Sequence, residues 1–122
     1  MKNINETVAV ELDNTETAND ERAIKPSYIH EFSEPFLWMG KTYKTLDFDF
    51  DKLKGSDAMS IYRELQMSGI MVVSARTSPD YQARLASRAC GLGIDAFDSM
   101  PLRDFEVIIS KARNFIPSAA LL

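Results

Sequence analysis

Between Pro35 and Asp51 the sequence holds its only tryptophan, Trp38, and three of its seven phenylalanines, set around a Gly40-Lys41 pair. Leu46, Phe48 and Phe50 alternate there with Asp47, Asp49 and Asp51. Successive side chains of an extended chain point to opposite faces, so this is a strand with one apolar and one wet face. Phe36 to Met39 is a short aromatic-rich run before the glycine, which supplies the positive φ that a tight hairpin needs. The spacing predicts a β-hairpin turning at Gly40-Lys41, with a return strand from Thr42 to Phe50. Pro35 suits a strand start or an edge. Tyr28 to Phe32 alternates more weakly and reads as a first extended segment. One apolar face has to be covered, and the rest of the chain must supply the cover.

Three helices are available for that. Lys54-Gly55-Ser56-Asp57 punctuates the chain, with Ser56 as N-cap and Asp57 at the positive helix end. Ala58, Ile61, Tyr62 and Leu65 then recur at helical spacing, predicting a first helix from about Asp57 to Ser68 that Gly69 closes. Ile70 to Val73 is too short to type by periodicity and is expected to be buried. Ser78-Pro79-Asp80 starts a second helix with the stripe Tyr81, Leu85 and Ala89, and Gly91 and Gly93 stop it. Ile94 to Met100 holds one loose turn anchored by Phe97. Pro101 opens a third helix with a broad apolar face of Leu102, Phe105, Ile108, Ile109, Ala112, Phe115 and Ile116. Asp104 and Glu106 near its start and Lys111 and Arg113 near its end complement the helix dipole. Pro117 ends it.

The N-terminal residues differ in kind. Residues 1–26 carry Glu6, Glu11, Asp13, Glu16, Asp20 and Glu21 against Lys2, Arg22 and Lys25, with scattered single aliphatics. Such a segment buries too little apolar area to offset its ordering entropy and reads as a flexible acidic tail. Val8, Val10 and Leu12 alternate, which keeps a short edge strand open as a second reading. The whole chain of 122 residues has a net charge of −4, so the part after the tail is close to −1. A single α+β domain over residues 27–117 follows, with a short apolar end at 118–122. No basic stripe offers itself to nucleic acid and no polybasic patch to a membrane. The first residues lack the roughly 7–15-residue apolar core of a signal peptide. The longest apolar run falls far short of the ~20 residues a membrane span needs. With one cysteine, Cys90, an internal disulfide is excluded and a cysteine zinc site lacks ligands. A cytosolic setting is expected.

The catalytic and metal patterns are weak. Asp47, Asp49 and Asp51 open like a calcium loop, but Lys52 and Ala58 stand where such a loop needs glycine and glutamate. Gly91-Leu92-Gly93 begins a dinucleotide fingerprint that Phe97 leaves unfinished. His30 is the sole histidine, and nothing in the sequence brings it to Cys90, which reads as a buried thiol. No enzyme, cofactor or metal is expected. Arg84 and Arg88 give the second helix the look of a recognition helix. The roughly ten residues separating it from the first exceed the 3–4 of a helix-turn-helix. Apolar groups at a hairpin tip or a chain end are hard to bury in a small domain. Where exposed, they mark a contact surface. Trp38 and Phe36, with Leu121 and Leu122, are candidates of that kind, and the outer part of the third helix adds Phe105, Ile109, Phe115 and Ile116.

In order and spacing the chain resembles the small tail assembly chaperones of tailed bacteriophages, including those of the Mu and P2 type. The resemblance covers roughly residues 28–116. It is carried by the Pro35-x4-Gly40-Lys41 hairpin with Tyr43-x2-Leu46-x-Phe48, by Lys54-Gly55-Ser56-Asp57, and by Tyr81-x3-Leu85-Ala86-x2-Ala89-x-Gly91. Met100-Pro101-Leu102-Arg103-Asp104-Phe105, leading into Ala112-Arg113-Asn114-Phe115, completes it. The acidic tail is longer than the family pattern. The resemblance implies a non-enzymatic protein of the host bacterial cytoplasm, absent from the finished virion, that coats and solubilises the tape-measure protein. It implies the tail tube protein and a frameshifted longer form of the chain as further partners, and it is compatible with a homo-oligomer. The alternative is a small phage-encoded DNA-binding regulator using the first two helices. The expected fold is α+β: a hairpin or small antiparallel sheet packed on about three helices.

Overall fold

A computed structural model describes residues 26–117. It is a mixed α+β domain in which a two-stranded antiparallel sheet packs against helices, as expected. The apolar end at 118–122 and, except for Pro26, the acidic tail lie outside the described residues.

The two extended segments expected before the turn are one strand. Strand β1 runs Tyr28–Trp38 and pairs with β2, Lys41–Phe48. Tyr28 faces Phe48, His30 faces Leu46, and Trp38 faces Lys41. The register shifts between Glu31 and Phe36, which pair with Thr45 and Tyr43, so four residues of β1 oppose Lys44 alone. Pro35 sits in this bulge, where it withholds no N–H from the ladder. The turn lies one residue earlier than predicted, at Met39-Gly40. Both residues have positive φ, 48° and 80°, the backbone that matches hairpin twist.

β2 stops at Phe48, two residues short of the predicted strand. The Asp49 N–H is drawn away to donate to the Ala89 carbonyl at 3.0 Å, and the Phe50 N–H donates to Ser27 Oγ at 3.0 Å. Phe50 opens a short 3-10 turn, Phe50–Lys52, and stays buried.

Helix α1 spans Gly55–Met67. Its N-cap is Lys54 rather than Ser56. The Asp57 carboxylate reaches back to accept the Lys54 N–H at 2.8 Å, and this bond is the first cause of its lowered pKa. Gly69, at φ 76°, closes the helix as predicted. Its N–H donates to Gln66 O and that of Ile70 to Leu65 O, the paired bonds of a Schellman end. Helix α2, Pro79–Cys90, starts on Ser78, whose Oγ accepts the Tyr81 N–H, and ends on Gly91 in the left-handed region. The loose turn after it is a short helix, α3, Ile94–Ser99, with Ala96 and Phe97 buried. Pro101 stands just before α4, Leu102–Arg113, whose buried line is Asp104, Ile108, Ile109 and Ala112.

α2 lies at the centre, touching α1, α3, α4 and β2. The core joins Phe48 of the sheet to Ile61 and Leu65 of α1, Ala86 of α2, Phe97 of α3 and Ile108 of α4. Phe48 stacks with Phe50 and Tyr28 and meets Phe97 at a tilt. Each of these phenylalanine, isoleucine and leucine side chains contributes about 1.5–3 kcal/mol by leaving water.

One polar cluster crosses this core. Asp104, only 2% exposed, accepts from the Ser33 N–H at 3.0 Å, from Ser33 Oγ at 2.8 Å and from His30 Nε2 at 2.8 Å. The Tyr28 hydroxyl lies 2.8 Å from His30 Nδ1. Burial pushes the Asp104 carboxyl up, but the bonds from Ser33 and His30 outweigh it and hold the pKa below the usual value. A group depressed in the folded state contributes its full stability above the unfolded pKa of about 4 and loses it as pH falls through the folded value. Asp104→Asn should therefore cost about 1–3 kcal/mol at pH 7. Its deficit against the unaltered chain should shrink toward pH 3, as read from urea unfolding at the two pH values.

Candidate binding surface

The residues proposed for contact fall into four groups. Phe36 and Ile109 are core, which corrects their placement on a surface. Phe36 packs between Phe32 and Trp38, and Ile109 faces inward beside Ile108. Trp38, Phe105 and Ile116 are half-buried against that core. Trp38 stacks on Phe36 with ring centroids 6.2 Å apart, so one face is packed and the question of core or contact has a divided answer. Phe115 is exposed on one side and stacks on Phe50 at 4.5 Å on the other. Leu121 and Leu122 lie outside the described residues.

The most exposed apolar side chains are others. At the hairpin tip Leu37 points away from the core, and Met39 is 87% exposed. Ile29 and Leu37 occupy the outward positions of β1, and burial alternates along both arms of that strand. On α1, Ile61 and Leu65 take the inward line, which leaves Met59, Tyr62 and Met67 on the outer flanks. The chain then leaves the Schellman end without regular structure. Ile70 and Val72 turn in while Met71 and Val73 are 85% and 89% exposed. The expectation that Ile70 to Val73 is buried thus fails for Met71 and Val73, and Ile70 and Val72 are only half-buried. A groove of about 440 Å³ runs here, lined by Tyr62, Gln66, Gly69, Ile70, Met71 and Val72. A second, of about 260 Å³, lies between α3 and the start of α4, with Phe97, Met100, Leu102 and Phe105 in its walls.

The connection carrying Met71 and Val73 is pinned at its far end. Gln82, buried on α2, donates from Nε2 to the carbonyls of Ala75 at 3.0 Å and Arg76 at 2.9 Å. Arg76 in turn donates to the carbonyls of Arg113 at 3.2 Å and Ile116 at 2.6 Å, capping the negative end of α4. Met71 and Val73 therefore project from a held backbone.

The other sequence candidates are committed elsewhere. Arg88 bridges Asp57 at 3.0 Å and Glu64 at 2.8 Å, and Arg84 lies 3.7 Å from Glu64. The hydrogen bond to Glu64 is the main reason the Arg88 pKa is raised. These pairs join α2 to α1. His30 has both ring nitrogens engaged inside the core rather than near Cys90. Burial pushes the Cys90 thiol up, against a nucleophilic role. Asp51 accepts from Ser27 Oγ, and among the described residues no three His, Cys, Asp or Glu side chains converge as metal ligands.

Met39 is the one described non-glycine residue with a positive φ. Asparagine and glycine suit this first turn position far better than methionine. Met39→Asn should stabilise the domain by about 0.5–1 kcal/mol, seen as a higher thermal midpoint with an unchanged far-UV spectrum.

No family model matches this chain, and comparison with curated proteins and with solved structures finds no match either.

Proposed function

We propose that the protein is a non-enzymatic chaperone of phage tail assembly, which binds an apolar helical client of the tape-measure kind and keeps it soluble. The client class rests on the resemblance in hairpin and helix order described above. The observation that carries the binding role is the set of long, unbranched or small apolar side chains held in water at Met39, Met67, Met71 and Val73. Methionine is flexible and polarisable and adapts to irregular partners, which suits a client presented along its length rather than at one epitope. The grooves beside Met71 and Leu102 are wide enough to take single aliphatic side chains of an amphipathic helix. Action in the host cytoplasm, release before the virion is complete, and contact with a tail tube protein or a longer form of the same chain belong to the same proposal. For the DNA-binding alternative, Arg84 and Arg88 are already paired with carboxylates.

Co-expression with a long helical tape-measure candidate tests the reading. The client should move from the pellet to the soluble fraction and co-purify with this chain. Met71→Asp combined with Val73→Asp should lower capture at least about tenfold while leaving the fold intact, because both side chains are outside the core. Trp38→Ala and Phe115→Ala should have smaller effects. A client equally soluble with and without the chain, and absent from the pull-down, would overturn the proposal.

A further inference from the structure

The sheet has one strand pair among the described residues, so β2 presents a free edge. A groove of about 620 Å³ follows that edge. Lys41 to Asp47 form one wall, and Cys90 and Leu92 form the other. The next depression is lined by Asp47, Asp49, Lys52, Ala89 and Cys90, together with Pro26, the first described residue. The N-terminal residues thus join the domain at the Asp47 end of the groove.

We propose that the segment Thr7–Asp13 of the same chain docks along β2 as a third, antiparallel strand. Three observations select this occupant. The segment reads Thr-Val-Ala-Val-Glu-Leu-Asp, so Val8, Val10 and Leu12 fall on one face of an extended chain and meet the apolar wall at Leu92. The twelve residues between Asp13 and Pro26 reach about 40 Å when extended, and the groove beside Lys41 to Asp47 is only about 20 Å long. Charge sets the direction. The groove carries Lys41 at one end and Asp47 at the other, six residues apart and so on one face of β2. An antiparallel segment brings Glu11 and Asp13 to the Lys41 end, whereas a parallel one sets them against Asp47. An unpaired edge invites pairing between molecules, and a strand supplied in cis closes it. This inference is independent of any client.

Hydrogen exchange on the full chain reads the docking directly. The amides of Lys41 to Asp47 that face away from β1 should exchange at least about tenfold more slowly in the unaltered chain than in a Val8→Pro, Val10→Pro variant. Trp38 emission serves as the check that the domain is still folded. Lys41→Glu should weaken the slowing, and adding Glu11→Lys and Asp13→Lys should restore it. Equal exchange in the unaltered and proline-bearing chains overturns the proposal. Protection that grows with protein concentration also overturns it, since the strand would then come from a second copy.

Discussion

The buried carboxylate of Asp104 sets the geometry on which the rest of the domain depends. A charge removed from water costs several kcal/mol unless it is fully hydrogen-bonded. Here its three donors come from two residues of β1, Ser33 and His30. Apolar contacts are non-directional and tolerate sliding, but this cluster is satisfied at one register and one angle between hairpin and helix. The bulge in β1 has a purpose in that light. A regular strand pairs Ser33 with its neighbour, whereas the four-residue excursion frees its N–H and hydroxyl to reach α4. Tyr28 adds two further ties, its hydroxyl to His30 and its ring under the Lys111 ammonium at 5.2 Å.

Comparable side-chain bonds fix other joints. Gln82 holds the turn before α2, Arg76 holds the end of α4, and Arg88 joins the first turn of α1 to α2. A two-stranded sheet is marginal by itself. Its persistence here depends on α2 and α4 covering one face and on these side-chain bonds fixing the joints between elements.

The local rules of the sequence proved readable because they are local. Ser78-Pro79, Gly69, Gly91 and the alternation through Leu46 and Phe48 each act within a few residues, and the elements they mark form where expected. The errors arise where a distant partner decides. β2 ends early because Ala89, forty residues on, takes the Asp49 N–H. Asp104 read as a dipole-complementing surface acid, since an acid in the first helical turn is ordinary. Its burial depends on donors in a strand some seventy residues away. The same limit hid the exposed surface. Ile70 to Val73 is apolar throughout, and only the path of the chain after the Schellman end turns Met71 and Val73 to water.

That exposed set has a structural cause as well as a proposed use. The sheet offers one face to the core and α2 already fills the centre, so residues at the hairpin tip and beyond α1 have no remaining layer to enter. Leu102, at the outer start of α4, shares the same condition. Polar side chains at these positions would cost the fold nothing, because a solvent-facing site has no packing to lose. Methionine and valine there, with a backbone at Met39 held in a conformation methionine disfavours, run against local preference with no gain inside the domain. It is for these side chains, which bring the domain no stability, that the proposed contact supplies a use. Met71 and Val73, on the connection that Gln82 and Arg76 anchor, stand where a rigid scaffold most readily presents a contact surface.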